Sequence, residues 1–125
     1  MSKIVQAINT MISNSDKIHE VFRVDNEGGN KEIYFLYNQY QWSMLFDQED
    51  SQYYLYYYKQ PLGPSQVRGG VDWKEVDFIL YKSSDFVGRE AAASFRDLYL
   101  LISEKVLGID KVLDDILSES DDVPL

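Results

Sequence analysis

The residue types that most often carry out catalysis are scarce in this chain and poorly spaced for it. His19 is the only histidine, and its neighbour Glu20 would point to a different face of either a helix or a strand, so the two do not form an acid–base couple. Glu75 and Asp77 would share one face of a strand. Such a pair can exchange protons with a substrate inside a cleft, but on an exposed strand face both groups are simply solvated. The sequence therefore predicts that the protein is not an enzyme.

Metal and cofactor sites also lack their usual sequence patterns. Three carboxylates lie close together at Asp47, Glu49 and Asp50, but the glycine and the later glutamate of a calcium-binding loop are absent, so a solvated hairpin turn is expected. The chain has no cysteine, which excludes a thiolate zinc site. The glycine doublets at 28–29 and 69–70 do not stand in a phosphate-binding motif. We predict no metal and no cofactor.

A high density of tyrosine is the feature that best suggests a function. Five tyrosines lie within residues 52–58, and a strand points alternate side chains to opposite faces, so one set can enter a core while the other does not. Strand propensity alone favours tyrosine here, but a tyrosine face left in water also suits protein binding. We expect helices to cover the face of Phe35, Met44 and Leu55. The opposite face would then expose the predicted partner-binding tyrosines: Tyr34, Tyr54, Tyr56 and Tyr58.

The charge of the chain indicates which partner such a face would bind. The formal net charge is −9, and residues 108–125 carry six acids and one lysine. Residues 33–58 contain no lysine or arginine, which a base-stacking nucleic-acid surface would need. A negative field repels nucleic acid and anionic membranes and attracts basic surfaces. We predict a basic protein partner, no nucleic acid and no membrane, with the acids Asp47, Glu49 and Asp50 adding to the binding surface.

Apolar residues recur at helical spacing at both ends of the chain. Near the N-terminus, Ile4, Ile8 and Met11 share one helical stripe, and Ser2 precedes them as an N-cap. The residues that follow, 16–24, fit either a second helical piece or a first strand. Helices are predicted over 3–13, from 83–85 to a C-cap glycine at Gly108, and over 109–117.

Alternating apolar residues between these helices predict an antiparallel meander, because the gaps between the strands have hairpin length. The predicted fold is α+β, with an N-terminal helix, three to four strands, or five if residues 16–24 form one, and C-terminal helices packed on one sheet face. Residues 1–117 would form a single domain and residues 118–125 an acidic, flexible tail. The strands are predicted over 32–37, 41–46, 52–58 and 71–81.

The function predicted from these features is that of a small acidic interaction module. Because no signal peptide or membrane span is visible, we expect it in the cytoplasm. Its concrete form would be an inhibitor or immunity-type protein that blocks a basic active site. A first alternative is a ligand-binding or enzymatic domain, with a pocket under the loop 59–70. That pocket would be lined by Trp42, Tyr54, Tyr56 and Trp73. A second alternative is a homodimeric adaptor or chaperone-like subunit.

Overall fold

A computed structural model of the chain describes residues 2–26 and 28–121. These residues form four α-helices, five strands and three short 3₁₀ turns. The helices are α1 (Lys3–Ser13), α2 (Pro64–Arg68), α3 (Arg89–Leu107) and α4 (Ile109–Asp121). The strands are β1 (Ile18–Asp25), β2 (Lys31–Tyr37), β3 (Tyr40–Asp47), β4 (Gln52–Tyr58) and β5 (Phe78–Lys82).

The five strands form one antiparallel sheet in the order β1-β2-β3-β4-β5, which confirms the predicted α+β meander. Residues 18–24 of the ambiguous segment 16–24 belong to β1, the additional fifth strand, and residues 16–17 lie in a 3₁₀ turn. The pairing of β1 with β2 shifts between His19 and Phe22, where Glu20 adopts a positive φ of 50°. Such a bulge interrupts strict alternation, so the strand pattern of this segment is hard to recognise in the sequence.

One face of the sheet, the helix-covered face, packs against α1 and α3 as expected. The N-cap of α1 is Ser2, whose side chain accepts a hydrogen bond from the Val5 amide at 3.3 Å. Ser94 of α3 bonds Asn9 of α1 at 2.6 Å, which joins the two helices. The core of this face is apolar on both sides of the contact. It contains Ile4, Val5, Ile8 and Met11 of α1, Ile33, Phe35, Met44 and Leu55 of the sheet, and Ala91, Phe95, Leu98 and Ile102 of α3.

The other face of the sheet, the loop-covered face, lies under the β4–β5 loop, which comprises residues 59–77. Leu62 and Val76 of this loop pack on Tyr34 and Tyr58 and form a second, smaller core. The Leu62 amide donates a hydrogen bond of 3.0 Å to Oε1 of Gln41, a buried side chain of β3. The loop is longer than most connections, and loops of such length are often functional.

The predicted fourth strand over 71–81 is wrong in its first part, because the strand begins only at Phe78. The Asp72 side chain accepts a hydrogen bond from the Lys74 amide at 3.2 Å and starts a 3₁₀ turn over Trp73–Glu75. Local bonding of this kind competes with sheet formation.

The C-terminal helices differ from the prediction mainly at their ends. Residues 83–85 form a 3₁₀ turn, so α3 starts later, at Arg89. It ends at Leu107 and is followed by Gly108, whose φ of 63° is left-handed as expected for a C-cap glycine. The last helix, α4, runs to Asp121, so the first part of the predicted tail is helical; residues 122–125 lie outside the described residues. No helix in the described part of the chain is long and apolar enough to cross a bilayer.

Candidate binding pocket

A pocket of about 230 Å³ opens on the loop-covered face, between the sheet and the β4–β5 loop. Five of its six lining residues are aromatic and the sixth is a carboxylate. Its lining contains no lysine or arginine. The lining residues are Glu32, Tyr34, Tyr56, Tyr58, Trp73 and Phe78.

The register of the strands brings these side chains together. Tyr34 of β2 pairs with Ser43 of β3, which in turn pairs with Tyr56 of β4. Tyr58 pairs with Phe78 of β5. Directly paired residues point to the same face, so the small side chain of Ser43 separates two large rings. The spacing of these rings is thus a consequence of strand pairing.

The rings form a floor and a mouth. Tyr34 and Tyr58 are 2% and 4% exposed and lie at the bottom, with ring centroids 5.9 Å apart and planes 22° from parallel. Trp73 and Phe78 are 44% and 49% exposed and lie at the mouth. Phe78 is tilted 59° to Tyr56, and Trp73 is tilted 46° to Tyr58. The mouth therefore presents aromatic surfaces at several angles.

The carboxylate of Glu32 is held by hydroxyl groups. Its Oε2 atom accepts hydrogen bonds from Ser43 Oγ at 2.6 Å and from Tyr58 OH at 3.2 Å. Ser43 Oγ and Tyr58 OH are also 2.8 Å apart. Within the described ranges, the three ion pairs lie elsewhere, and no cationic side chain comes within 4 Å of the Glu32 carboxylate. Glu32 is thus a half-buried negative charge without a counter-ion in the described part of the chain.

The negative charge of Glu32 contributes to the raised pKa values of the pocket tyrosines. Burial raises the pKa of Tyr58 and of Tyr34 well above the usual range, and the charge of Glu32 adds to both shifts. Burial also raises the pKa of Tyr56, with smaller contributions from Glu32 and Asp47. All three phenols therefore stay protonated at neutral pH. Burial disfavours a charge of either sign, and only the smaller contribution of Glu32 to these pKa shifts reflects a negative potential, which would favour a cation.

The prediction of an exposed tyrosine stripe is only partly right. Tyr34 and Tyr58 are buried, because Leu62 and Val76 of the β4–β5 loop cover them. The prediction that these two tyrosines are exposed is therefore wrong. Tyr56 is half-buried and lines the pocket. Tyr54 is partly exposed beside the pocket and is not among its lining residues.

The three acids predicted to aid partner binding lie in or next to the β3–β4 turn. Asp47 Oδ1 accepts a hydrogen bond from the Asp50 amide at 3.0 Å, and Asp50 accepts one from the Tyr54 hydroxyl. That bond is the main reason why the pKa of Tyr54 is raised to about 12. Glu49 is exposed. In the described ranges, no three potential ligands are grouped to hold a metal ion.

The pocket differs from the one predicted under the loop 59–70, because none of residues 59–70 lines it and Trp73 is its only lining residue from the β4–β5 loop. Tyr56 and Trp73 line it, but Trp42 packs on the helix-covered face, so its assignment to the pocket is wrong. The sequence reasoning missed Glu32 and Phe78. The alternation that places Ile33 on the helix-covered face also places Glu32 on the opposite face beside Tyr34, so this signal was present in the sequence.

In comparisons with protein families, with curated proteins and with solved structures, none matched this chain.

Proposed function

We propose that this protein is a binding module that docks a basic protein partner on its loop-covered face, with the aromatic pocket at the centre of the contact. The observation that carries the proposal is the Glu32 carboxylate, which lines a pocket with five aromatic residues and has no cationic side chain within 4 Å in the described part of the chain. A basic side chain of a partner would supply the missing charge. The proposal includes no catalytic step.

The rim of the pocket has the composition of a protein contact surface. Trp73 and Phe78 are both about half exposed. Tryptophan is among the residues that carry most binding energy in interfaces, and aromatic residues are enriched there. Their apolar surface remains in water in the free protein, and a partner would remove it from water. These residues, rather than the buried Tyr34 and Tyr58, are the proposed contact residues.

The acidic charge supports a basic partner. Asp72, Glu75 and Asp77 are exposed in the β4–β5 loop beside Trp73, and the whole chain carries a net charge of −9. Complementary charge speeds encounter and suppresses partners of the wrong sign. An inhibitor that covers the active site of a basic enzyme is the concrete form that we propose.

A second candidate function is the binding of a free small molecule, for which the presence of the pocket is the supporting observation. Its volume of about 230 Å³ is below the roughly 300–1,000 Å³ typical of sites for drug-sized ligands. The pocket therefore suits a small group, such as the end of a side chain, better than a complete cofactor.

Affinity capture from the native cell tests the proposed function. The immobilised wild type is compared with the double variant Trp73→Ser, Phe78→Ser and with the control variant Tyr40→Ser, which changes a similarly exposed aromatic residue outside the pocket. We expect basic proteins to bind the wild type and the control, to be lost with the double variant, and to be released by salt. The same captured proteins on all three baits would contradict the proposal.

A further inference from the structure

We propose that the pocket binds a methylated ammonium group, and that in the complex this group is the trimethylated lysine side chain of the basic partner. This inference rests on the proposed function for its source, although the pocket chemistry can be tested without any partner. Glu32 would act as the counter-ion, and the rings of Tyr56, Trp73 and Phe78 would surround the methyl groups.

The ring geometry suits a cation better than a flat aromatic ligand. A flat ligand would need two parallel walls with room between them, but the nearly parallel rings of Tyr56 and Tyr58 are only 6.0 Å apart, and Phe78 is tilted by 59° to Tyr56. A spherical cation needs ring faces that converge from different directions, because each face attracts it through the ring quadrupole. Trp73, the best ring for this contact, lies at the mouth with its centroid 6.2 Å from that of Tyr58.

The same face of the sheet already places two of its own cations on aromatic rings. The Arg68 guanidinium lies 5.8 Å from the Phe22 ring centroid, and the Lys82 ammonium lies 5.2 Å from that of Tyr54. Both distances are within the range of cation–π contacts. Neither cation lines the pocket, so the rings there, together with Glu32, have no cation supplied by the described residues.

The hydrogen-bonding groups of the pocket favour a methylated ammonium over a bare one. A lysine ammonium is strongly hydrated and has three donors to satisfy. The hydroxyls of Ser43 and Tyr58 donate to Glu32 and both residues are buried, so the Glu32 carboxylate is the main acceptor for those three donors. A trimethylammonium group has no donor and loses less hydration, so it can use ring faces and a single charge.

A titration followed by NMR tests the pocket chemistry directly. The indole N–H of Trp73 and the amides of Tyr56 and Phe78 report binding of choline, and 3,3-dimethyl-1-butanol serves as the neutral probe of the same shape. We expect choline to bind at least about tenfold more tightly than the neutral probe, since only the charge differs. Equal affinities, or no saturation by choline at about 10 mM, where a ligand with a Kd near 1 mM would be bound, would overturn the inference.

Variants assign the effect to the pocket. Trp73→Leu and Glu32→Gln should each weaken choline binding about tenfold or more, while Tyr40→Leu should leave it unchanged. Trp73 is at the mouth and half exposed, so its replacement keeps the fold and remains informative if Glu32→Gln unfolds the protein. Unchanged binding by Trp73→Leu would place the choline site elsewhere and overturn the inference.

Binding of methylated and unmethylated peptides identifies the source of the cation. It also separates this inference from the proposed function. A lysine-rich peptide with one trimethyllysine should bind about tenfold more tightly than its unmethylated form, and choline should displace it. Choline binding without any preference for the methylated peptide would overturn the lysine assignment in favour of a free cation. If choline binds as expected while affinity capture finds no basic partner, the proposed function fails and the pocket chemistry stands.

Discussion

The two faces of this sheet are covered in different ways, and the hollows on them differ in lining. On the helix-covered face the hollows lie beside α3 and include Lys31, whereas the hollow on the loop-covered face is lined by aromatic rings and one carboxylate. The helix-covered face meets two regular helices, whose side chains fill the space above Phe35 and Leu55 until both are fully buried. The loop-covered face meets an irregular segment that covers Tyr34 and Tyr58 but leaves a hollow beside them. Close packing of the amphipathic helices leaves no hollow above Phe35 and Leu55. A loop can cover part of a face and leave the remainder open.

The largest difference between the faces should appear in stability. Phe95 of α3 is completely buried in the core of the helix-covered face. Replacing it by alanine creates a cavity that rigid helices cannot fill, so we expect Phe95→Ala to lower the free energy of unfolding by about 3–5 kcal/mol. Urea denaturation followed by circular dichroism measures this loss. A loss below about 1 kcal/mol would mean that this core is not the main source of stability.

The matching change on the loop-covered face is Leu62→Ala, because Leu62 is almost as fully buried. The β4–β5 loop can settle into the vacated space, so the expected loss is smaller, about 2 kcal/mol, at the low end for such truncations. Equal losses for Phe95→Ala and Leu62→Ala would contradict the view that the two covers differ in rigidity.

Removing a hydroxyl from the cluster of Ser43, Tyr58 and Glu32 should lower the free energy of unfolding by a smaller amount. Ser43→Ala removes the hydrogen bond to Glu32 and leaves Tyr58 OH with a longer contact. We expect a loss of about 1–2 kcal/mol in the free energy of unfolding. We also expect weaker choline binding, because the carboxylate is less firmly positioned. Choline binding at the wild-type level would show that Ser43 does not position Glu32.

The smallest expected effect concerns Tyr54, outside the pocket. Its pKa is raised to about 12 by the hydrogen bond to Asp50, so the folded state holds this proton more tightly than the unfolded state, where tyrosine has a pKa of about 10. The stability gained from this bond is complete below about pH 10 and is lost as the pH rises through about 12.

Asp50→Asn should therefore lower the pKa of Tyr54 towards about 10, with little change in stability at neutral pH because the group is exposed. Phenolate absorbance during alkaline titration measures the pKa, and the variant Glu49→Gln in the same turn is the control. An unshifted pKa in Asp50→Asn would show that the bond does not form in solution.

Much of the fold can be predicted from the sequence, because its signals are local. The stripe of Ile4, Ile8 and Met11 predicted α1, and Gly108 predicted the end of α3. Strand alternation placed Phe35 and Leu55 correctly under the helices. These features depend on the spacing of residues within one element.

The pocket was harder to predict because it depends on pairing between strands and on a loop. Glu32, Ser43 and Tyr58 are far apart in the chain and meet only through the register of β2, β3 and β4. The burial of Tyr34 follows from the position of the β4–β5 loop, and no local pattern states where a loop of this length will lie. The same loop contains the 3₁₀ turn that positions Trp73, where the sequence predicted a strand.

The β4–β5 loop is tied to the sheet through Leu62 and Arg68, and a hydrogen bond between Lys59 and Asp77 joins its two ends. The Leu62 amide bonds Gln41, Nη2 of Arg68 donates to the Arg23 carbonyl oxygen at 3.3 Å, and the Lys59 amide bonds the Asp77 carbonyl at 3.1 Å. Trp73 is therefore carried by a segment whose conformational entropy is already lost when the chain folds. A ligand that binds beneath Trp73 therefore meets a preorganised pocket, and its affinity is not reduced by the cost of ordering the residues that line the pocket.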